Sequence, residues 1–227
     1  MKVIGIEKSS FIDYPGKICT VYFTPGCNFR CAYCHNSPAV MGKGELIKEE
    51  EILLYLEKRK KFVDAVCISG GEPTLQQGLD LFIKKLKSKG FFVKLDTNGT
   101  NPDILQKLLD KKLIDYVAMD IKGPLYKYSL LAGIEVAVEP IKESINIIKN
   151  FNIDYEFRTT ICKELLSPND IRDIANLLKG SKAYYLQNFK DGDTILAGKG
   201  KFTPYNMKEL KLIEKEIKDY FVKFDIR

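Results

Sequence analysis

Short apolar runs recur along the chain, and most are followed by a segment whose apolar positions repeat with a helical period. Residues 17–24 (KICTVYFT), 64–68 (DAVCI), 91–95, 115–119, 154–161 and 183–186 read as buried strands. Residues 48–61 place Ile52, Leu53 and Leu56 on one helical face. After Pro73, which suits a first helical turn because it has no N–H to leave unpaired, Leu79, Phe82, Ile83 and Leu86 form a second face that stops at Gly90. Further helices are marked by Ile104, Leu105, Leu108 and Leu109, by Ile141, Ile145 and Ile148, and by Ile171, Ile174 and Leu178. A last helix is expected over 206–224, with Leu210, Ile213, Ile217 and Tyr220 inward. Six strand–helix units predict a parallel sheet with helical crossovers. A closed eight-unit barrel takes ~250 residues, so the expectation is an α/β fold, a partial TIM-like (β/α)6 barrel with outer helices. No linker rich in Pro, Gly or Ser divides the pattern, and 1–227 reads as a single domain. The longest irregular stretch, 190–205, is glycine-rich, and loops of that length often have a function of their own.

Composition adds limits. Hydrophobic residues make up 45% and charged residues 29%, enough apolar material for a sizeable core. No apolar run approaches the ~18–20 residues of a membrane span, and residues 1–7 lack the apolar stretch of a signal peptide. A cytoplasmic protein without a membrane partner is expected. The net charge of +6 comes largely from lysines interleaved with glutamates on helices, which argues for solvated surface and against a nucleic-acid partner. Such a surface suits an acidic protein partner. Six cysteines in 227 residues are no disulfide scaffold. Cys19, Cys67 and Cys162 stand alone in apolar surroundings and read as buried thiols, with Cys162 at a strand end near the expected site.

The other three cysteines carry chemistry. Cys27, Cys31 and Cys34 are spaced C-x3-C-x2-C, with no fourth cysteine nearby. A closed zinc site or a complete iron–sulfur cage usually takes four protein ligands. Three thiolates in one loop can hold three irons of a [4Fe–4S] cluster and leave the fourth open, which makes a site reactive. Polar residues also gather at the carboxyl ends of the later strands, the edge where ligands bind in open α/β folds. They are Gly70, Gly71 and Glu72, then Asp96, Asp120 with Lys122, Arg158 and Gln187. Two glycines let a ligand lie against the backbone, a carboxylate holds an ammonium, and Lys122 or Arg158 pairs with a carboxylate. The group suits an amino-acid zwitterion that also chelates the open iron; S-adenosylmethionine fits that description.

Cys27-x3-Cys31-x2-Cys34 together with Gly70-Gly71-Glu72 resembles the radical S-adenosylmethionine superfamily. Asp13-Tyr14-Pro15-Gly16, the run from Gly26 to Asn36, Asp96-Thr97-Asn98-Gly99 and Asp120-Ile121-Lys122 are similar to the glycyl-radical-enzyme activases. Size and pattern look closest to the activating proteins of anaerobic ribonucleoside-triphosphate reductase. The resemblance implies one [4Fe–4S] cluster on Cys27, Cys31 and Cys34. It implies a Tyr33 contact to adenine, and Gly70, Gly71 and Glu72 at the methionine amine. Asp96 and Lys122 would hold the methionine zwitterion, with Arg158 and Gln187 as further contacts. A monovalent cation would be held by Asp96, Thr97, the Ala118 carbonyl and Asp120. It also implies reductive cleavage to a 5′-deoxyadenosyl radical, which takes hydrogen from a glycine of a partner, a class III ribonucleotide reductase. The reductant would be a flavodoxin or ferredoxin-type protein.

One departure stands out. Many activases carry a late histidine against the cofactor, but His35 is the only histidine here, so Gln187 or Asn188 is expected in that place. His35, adjacent to Cys34, is poorly placed as a fourth ligand and is expected to pack beside the site. Only 35 residues separate Cys34 from Gly70, with Cys67 the sole cysteine among them, which leaves no room for a ferredoxin-like insert. A second reading keeps the chemistry and acts on a small molecule, like the 7-carboxy-7-deazaguanine synthases; that site should add polar groups inside the barrel, of which the sequence shows few. A zinc-binding or electron-carrying protein is the third reading. It leaves Gly70–Glu72, Asp96 and Lys122 without a task.

Overall fold

Successive side chains of a strand face opposite sides of its sheet, and here the two sides differ in chemistry. The computed structural model describes residues 1–227 and holds one eight-stranded sheet. Its strands are β1 (Gly5–Ser10), β2 (Cys19–Thr24), β3 (Ala65–Gly70), β4 (Phe92–Thr97), β5 (Tyr116–Asp120), β6 (Asp154–Ile161), β7 (Ala183–Asn188) and β8 (Lys223–Ile226). They lie in chain order. β1 is antiparallel to β2, all other pairs are parallel, and the sheet stays open between β1 and β8. The helices are α1 (Ser37–Val40), α2 (Glu49–Arg59), α3 (Leu79–Ser88), α4 (Pro102–Asp110), α5 (Tyr128–Ala132), α6 (Glu139–Asn150), α7 (Pro168–Leu178) and α8 (Met207–Ile217).

Tyr22, Ile68, Val93, Leu95, Val117, Met119, Phe157 and Leu186 of the sheet join Leu56, Phe82, Leu105, Ile145 and Ile174 of the helices in one core of 50 buried residues. Only six buried residues, Tyr14, Cys19, Val21, Ala65, Cys67 and Tyr116, form a separate cluster. The five strand residues among them belong to the other face of the sheet, the barrel interior, and Tyr14 of the β1–β2 loop packs against Tyr116. The apolar core therefore lies between sheet and helices, and the lumen is left to polar side chains. Lys94, Asp96, Glu156, Arg158 and Gln187 follow the same alternation into it.

The six expected strands and their following helices form, with three differences. Pro73 begins a three-residue 3-10 turn, Pro73–Leu75, separated from α3 by the left-handed Gly78. The last helix ends at Ile217, and after a turn at Lys218–Tyr220 the chain enters β8 instead of continuing to Phe224. Phe221 and Phe224 pack on Tyr184, with ring centroids 4.9 and 6.0 Å away, a long-range contact that overrides the helical period. β1 and β8 went unpredicted because, as edge strands, they are largely half-exposed and carry no continuous apolar run. Cys162, directly after the end of β6, is 1% exposed, the buried thiol expected there, and lines no cavity of the site. No helix is long and apolar enough to cross a membrane.

Candidate active site

The cysteine loop, residues 25–36, contains no helix or strand of its own, so its shape depends on contacts with its neighbours. Gly26, at φ +81°, donates its N–H to the Ala39 carbonyl of α1 at 2.8 Å. Its carbonyl accepts the Glu72 N–H, also at 2.8 Å. Asn36 Nδ2 reaches the Gly70 carbonyl at 3.3 Å. Gly71 is packed so tightly that a Cβ there would stand 1.9 Å from the Gly26 carbonyl oxygen. No side chain other than hydrogen fits, which is the physical content of the paired glycines. Arg30 donates its N–H to the Ala132 carbonyl at the end of α5 (2.7 Å), and its Nη1 reaches the Cys27 carbonyl at 2.6 Å.

Cys27, Cys31, Tyr33, Cys34, Gly70, Gly71, Glu72, Asp96, Thr97, Asp120, Lys122, Arg158 and Gln187 all line one cavity of about 310 Å³. Of the candidate cofactor and cation residues, Ala118 and Asn188 are absent from that lining. The strand register explains the convergence: Asp120 of β5 is paired with Arg158 of β6, and Thr160 of β6 with Gln187 of β7. Burial pushes all three thiols up, Cys27 to about 11, so the metal-free loop carries thiols rather than thiolates. The Phe29 N–H points at Cys27 Sγ from 3.3 Å and Asn98 Nδ2 from 3.9 Å, donors that favour a charged sulfur. The buried Tyr33 hydroxyl has no partner in the chain. These features fit a cluster held by three thiolates with a ligand beside it.

The Glu72 carboxylate joins two turns beside the cavity. Fully buried, its Oε1 accepts from the Thr74 N–H (3.0 Å), the Thr74 hydroxyl (2.6 Å) and the Thr97 hydroxyl (2.8 Å). Its Oε2 accepts the Asn98 N–H at 2.6 Å. Four donors match the lone-pair sites of a carboxylate. Burial pushes the carboxyl up, while two backbone N–H groups that can only donate favour its ionised form. Glu72 thus ties the Gly70–Gly71 turn to the Asp96–Gly99 turn.

The charges across the lumen alternate. Lys94 Nζ, 1% exposed, lies 2.6 Å from Asp96 Oδ1. Arg158 bridges the two aspartates: Nε stands 2.8 Å from Asp120 Oδ1, and both terminal nitrogens stand 3.4 Å from Asp96 Oδ2. Lys122 Nζ closes the row 3.3 Å from Asp120 Oδ2. Burial alone would raise Asp120, but Arg158 and Lys122 outweigh it and hold its carboxyl at about 2. Arg158, Lys94 and Lys122 face the four carboxylate oxygens of Asp96 and Asp120, two of the four groups expected around a monovalent cation, and the Thr97 hydroxyl donates to Glu72.

A second chamber of about 700 Å³ adjoins the first and shares Asp13, His35, Arg158, Thr160 and Gln187 with it. Its remaining lining includes Lys94, Glu156 and Arg227, so the barrel interior holds more polar groups than the sequence showed. Glu156, 1% exposed, accepts from the Tyr116 hydroxyl at 3.1 Å and faces Arg227 at 3.6 Å. Asn188 is committed to the backbone of Tyr205 through both ends of its amide, which leaves Gln187 as the residue of that pair facing the site cavity. Asn98 was missed because Asp96-Thr97-Asn98-Gly99 reads as a turn. Lys94 was missed because a lone lysine in an apolar run looks like an exposed position.

Residues 21–178 match the family model described as the radical SAM superfamily. A protein of Methanocaldococcus jannaschii named as a glycyl-radical enzyme activating enzyme is 40% identical over 196 residues, covering 84% of this chain and 81% of its own. The chain belongs to the radical SAM superfamily, among the glycyl-radical enzyme activating enzymes. The pyruvate formate-lyase-activating enzyme of Clostridium pasteurianum is 31% identical over 188 residues, 78% of this chain and 76% of that one. In fold, the radical SAM chain is similar to Streptococcus suis SuiB solved with S-adenosylmethionine bound (TM-score 0.70, 18% identity). That match covers 91% of this chain and spans about half of SuiB, 49%. Membership of this superfamily implies a [4Fe–4S] cluster and S-adenosylmethionine.

Proposed function

We propose that this radical SAM enzyme installs a glycyl radical on an anaerobic ribonucleotide reductase. The observation that carries the reading is the single cavity in which three thiols, the Gly70–Gly71 backbone and the Lys122–Asp120–Arg158–Asp96 row converge. Cys27, Cys31 and Cys34 would hold the cluster. With S-adenosylmethionine bound, that cluster would supply the one-electron chemistry that precedes hydrogen abstraction. The chain's own residues orient and enclose. Gly70 and Gly71, which line the cavity, would present their backbone to the methionine amine, and Asp96 would offer the opposite charge. Lys122 and Arg158 would pair with the methionine carboxylate, exchanging part of their hold on Asp120. Tyr33 and Gln187 line the remaining wall, where the adenosyl group would lie. A flavodoxin or ferredoxin-type reductant and a cytoplasmic location complete the proposal.

The second chamber, with Lys94, Glu156 and Arg227, favours one competing reading, in which the substrate is a small polar molecule. Anaerobic reconstitution followed by incubation with the reductase separates the two. A glycyl-radical signal in electron paramagnetic resonance, lost in Cys27→Ala, Cys31→Ala and Cys34→Ala, is the expected result. Cleavage of S-adenosylmethionine without that signal would transfer the proposal to the small-molecule reading. Failure to assemble a reducible [4Fe–4S] cluster would end both.

A further inference from the structure

The irregular stretch 190–205 is a strap laid across the end of the cysteine loop. Its base is stapled by Asn188, whose Nδ2 donates to the Tyr205 carbonyl at 2.8 Å and whose Oδ1 accepts the Tyr205 N–H at 3.0 Å. Within the strap, Asp191 Oδ2 accepts the Gly200 N–H at 2.8 Å. Ile195, 4% exposed, inserts into the same core cluster as Cys31 and Tyr33. Two backbone donors project from this frame onto the cysteine loop. Leu196 N–H reaches the Cys34 carbonyl at 3.1 Å, and Ala197 N–H reaches the Ala32 carbonyl at 2.9 Å. From the other side His35 Nε2 stands 2.5 Å from the Lys190 carbonyl, with its ring 5.4 Å from that of Phe189.

A loop without secondary structure must be shaped from outside, and each cysteine has its own support. Cys27 is held by the Phe29 N–H and Asn98, and the turn before Cys31 by Arg30 on α5. Only the strap grips both sides of Cys34. We propose that the strap is a positioning element for the cluster, in which Leu196 and His35 fix the Ala32–His35 backbone so that the Cys34 thiolate is presented to its iron. Ordering Cys34 before the metal arrives lowers the entropy lost on binding and slows release of the cluster. Hydrogen bonding and solvent exposure near the sulfurs also set a cluster's potential. This inference rests on the cluster reading above.

The test compares reconstituted wild type, His35→Phe and Leu196→Pro, with Thr194→Ala as an exposed control in the strap. His35→Phe keeps an aromatic ring against Phe189 but removes the link to Lys190; Leu196→Pro removes the donor to Cys34. Iron loss to a chelator is followed by the visible absorption of the cluster, alongside the midpoint potential and the melting temperature of the metal-free protein. Loss about fivefold faster in each variant, with a shifted potential and a wild-type melting temperature, is expected; Thr194→Ala should match wild type. Should Leu196→Pro fail to fold, His35→Phe decides alone. If wild type loads a cluster and the folded variants release it at the wild-type rate, the strap inference falls and the cluster reading stands. A lowered metal-free melting temperature that accounts for the faster loss overturns it too. If wild type itself loads no cluster, both fall.

Discussion

Glu72 Oε2 accepts the backbone N–H of Asn98 at 2.6 Å, and through that bond two separate strand ends become one rigid wall of the site. Asn98 in turn aims its amide at Cys27 Sγ and at Asn28 Oδ1, 3.9 and 2.8 Å away. A buried carboxylate on one strand end therefore governs the surroundings of the first cysteine through Asn98.

Glu72→Gln tests this directly. The amide replaces one acceptor by a donor that must face Thr74, Thr97 or the Asn98 N–H. A cost of about 1–3 kcal/mol is expected, the range for leaving a buried polar group unpaired. Urea denaturation of the metal-free protein measures it, and equilibrium binding of S-adenosylmethionine to the reconstituted enzyme should weaken in parallel. Full stability in Glu72→Gln would remove its assigned role.

Gly71→Ala puts a methyl group 1.9 Å from the Gly26 carbonyl oxygen, backbone against backbone. The two loops must separate, at a cost of about 1–3 kcal/mol or more for overpacking. The consequence falls on the site, because Gly26 leads directly into Cys27. Iron content after reconstitution should drop well below that of Gly16→Ala, a left-handed glycine whose Cβ meets nothing within 4 Å. Equal iron content in the two would contradict the argument.

Lys94 and Asp96 form a buried ion pair at 2.6 Å. Removing one partner of such a pair leaves a charge uncompensated, which costs about 3–5 kcal/mol. Arg158 and Ser69 remain on Asp96 Oδ2, so Lys94→Met should fall at the low end, about 3 kcal/mol. The double variant Lys94→Met/Asp96→Asn should recover part of that loss. A double-mutant cycle by urea denaturation reads the coupling, and additive single effects would show that the pair is not coupled.

Asp170, 2% exposed, caps α7 and accepts from the Ser167 N–H (2.8 Å), the Ser167 hydroxyl (2.7 Å), Lys127 (2.7 Å) and the Tyr126 hydroxyl (2.8 Å). Burial alone would raise its carboxyl, but these donors, Lys127 first, hold it at about 2. An unfolded aspartate titrates near about 3.9. The folded value is the lower one, so the ionised form stabilises the protein fully above about pH 4, and that share is lost as the pH falls toward about 2. The stability difference between wild type and Asp170→Asn should be constant near neutrality and shrink across this window. A difference that does not change with pH would refute the linkage.

Local chemistry was enough to place much of this molecule. Alternating apolar runs and helical periods marked six strands and their helices, because burial of one face imposes its period on the sequence. The cysteine spacing and the polar residues at strand ends marked the site, since any chain of this topology brings those ends to one edge. Tertiary structure alone decided the rest. It turned residues 223–226 into β8 through the Phe221 and Phe224 contacts with Tyr184, and added β1 on the opposite edge. It gave Glu72 to Thr74, Thr97 and Asn98, put Lys94 in the lumen, and set Arg158 between Asp96 and Asp120. It laid residues 190–205 against Cys34. Each of these depends on which distant groups share a buried space, and a buried charge or donor takes the partner that folding brings to it.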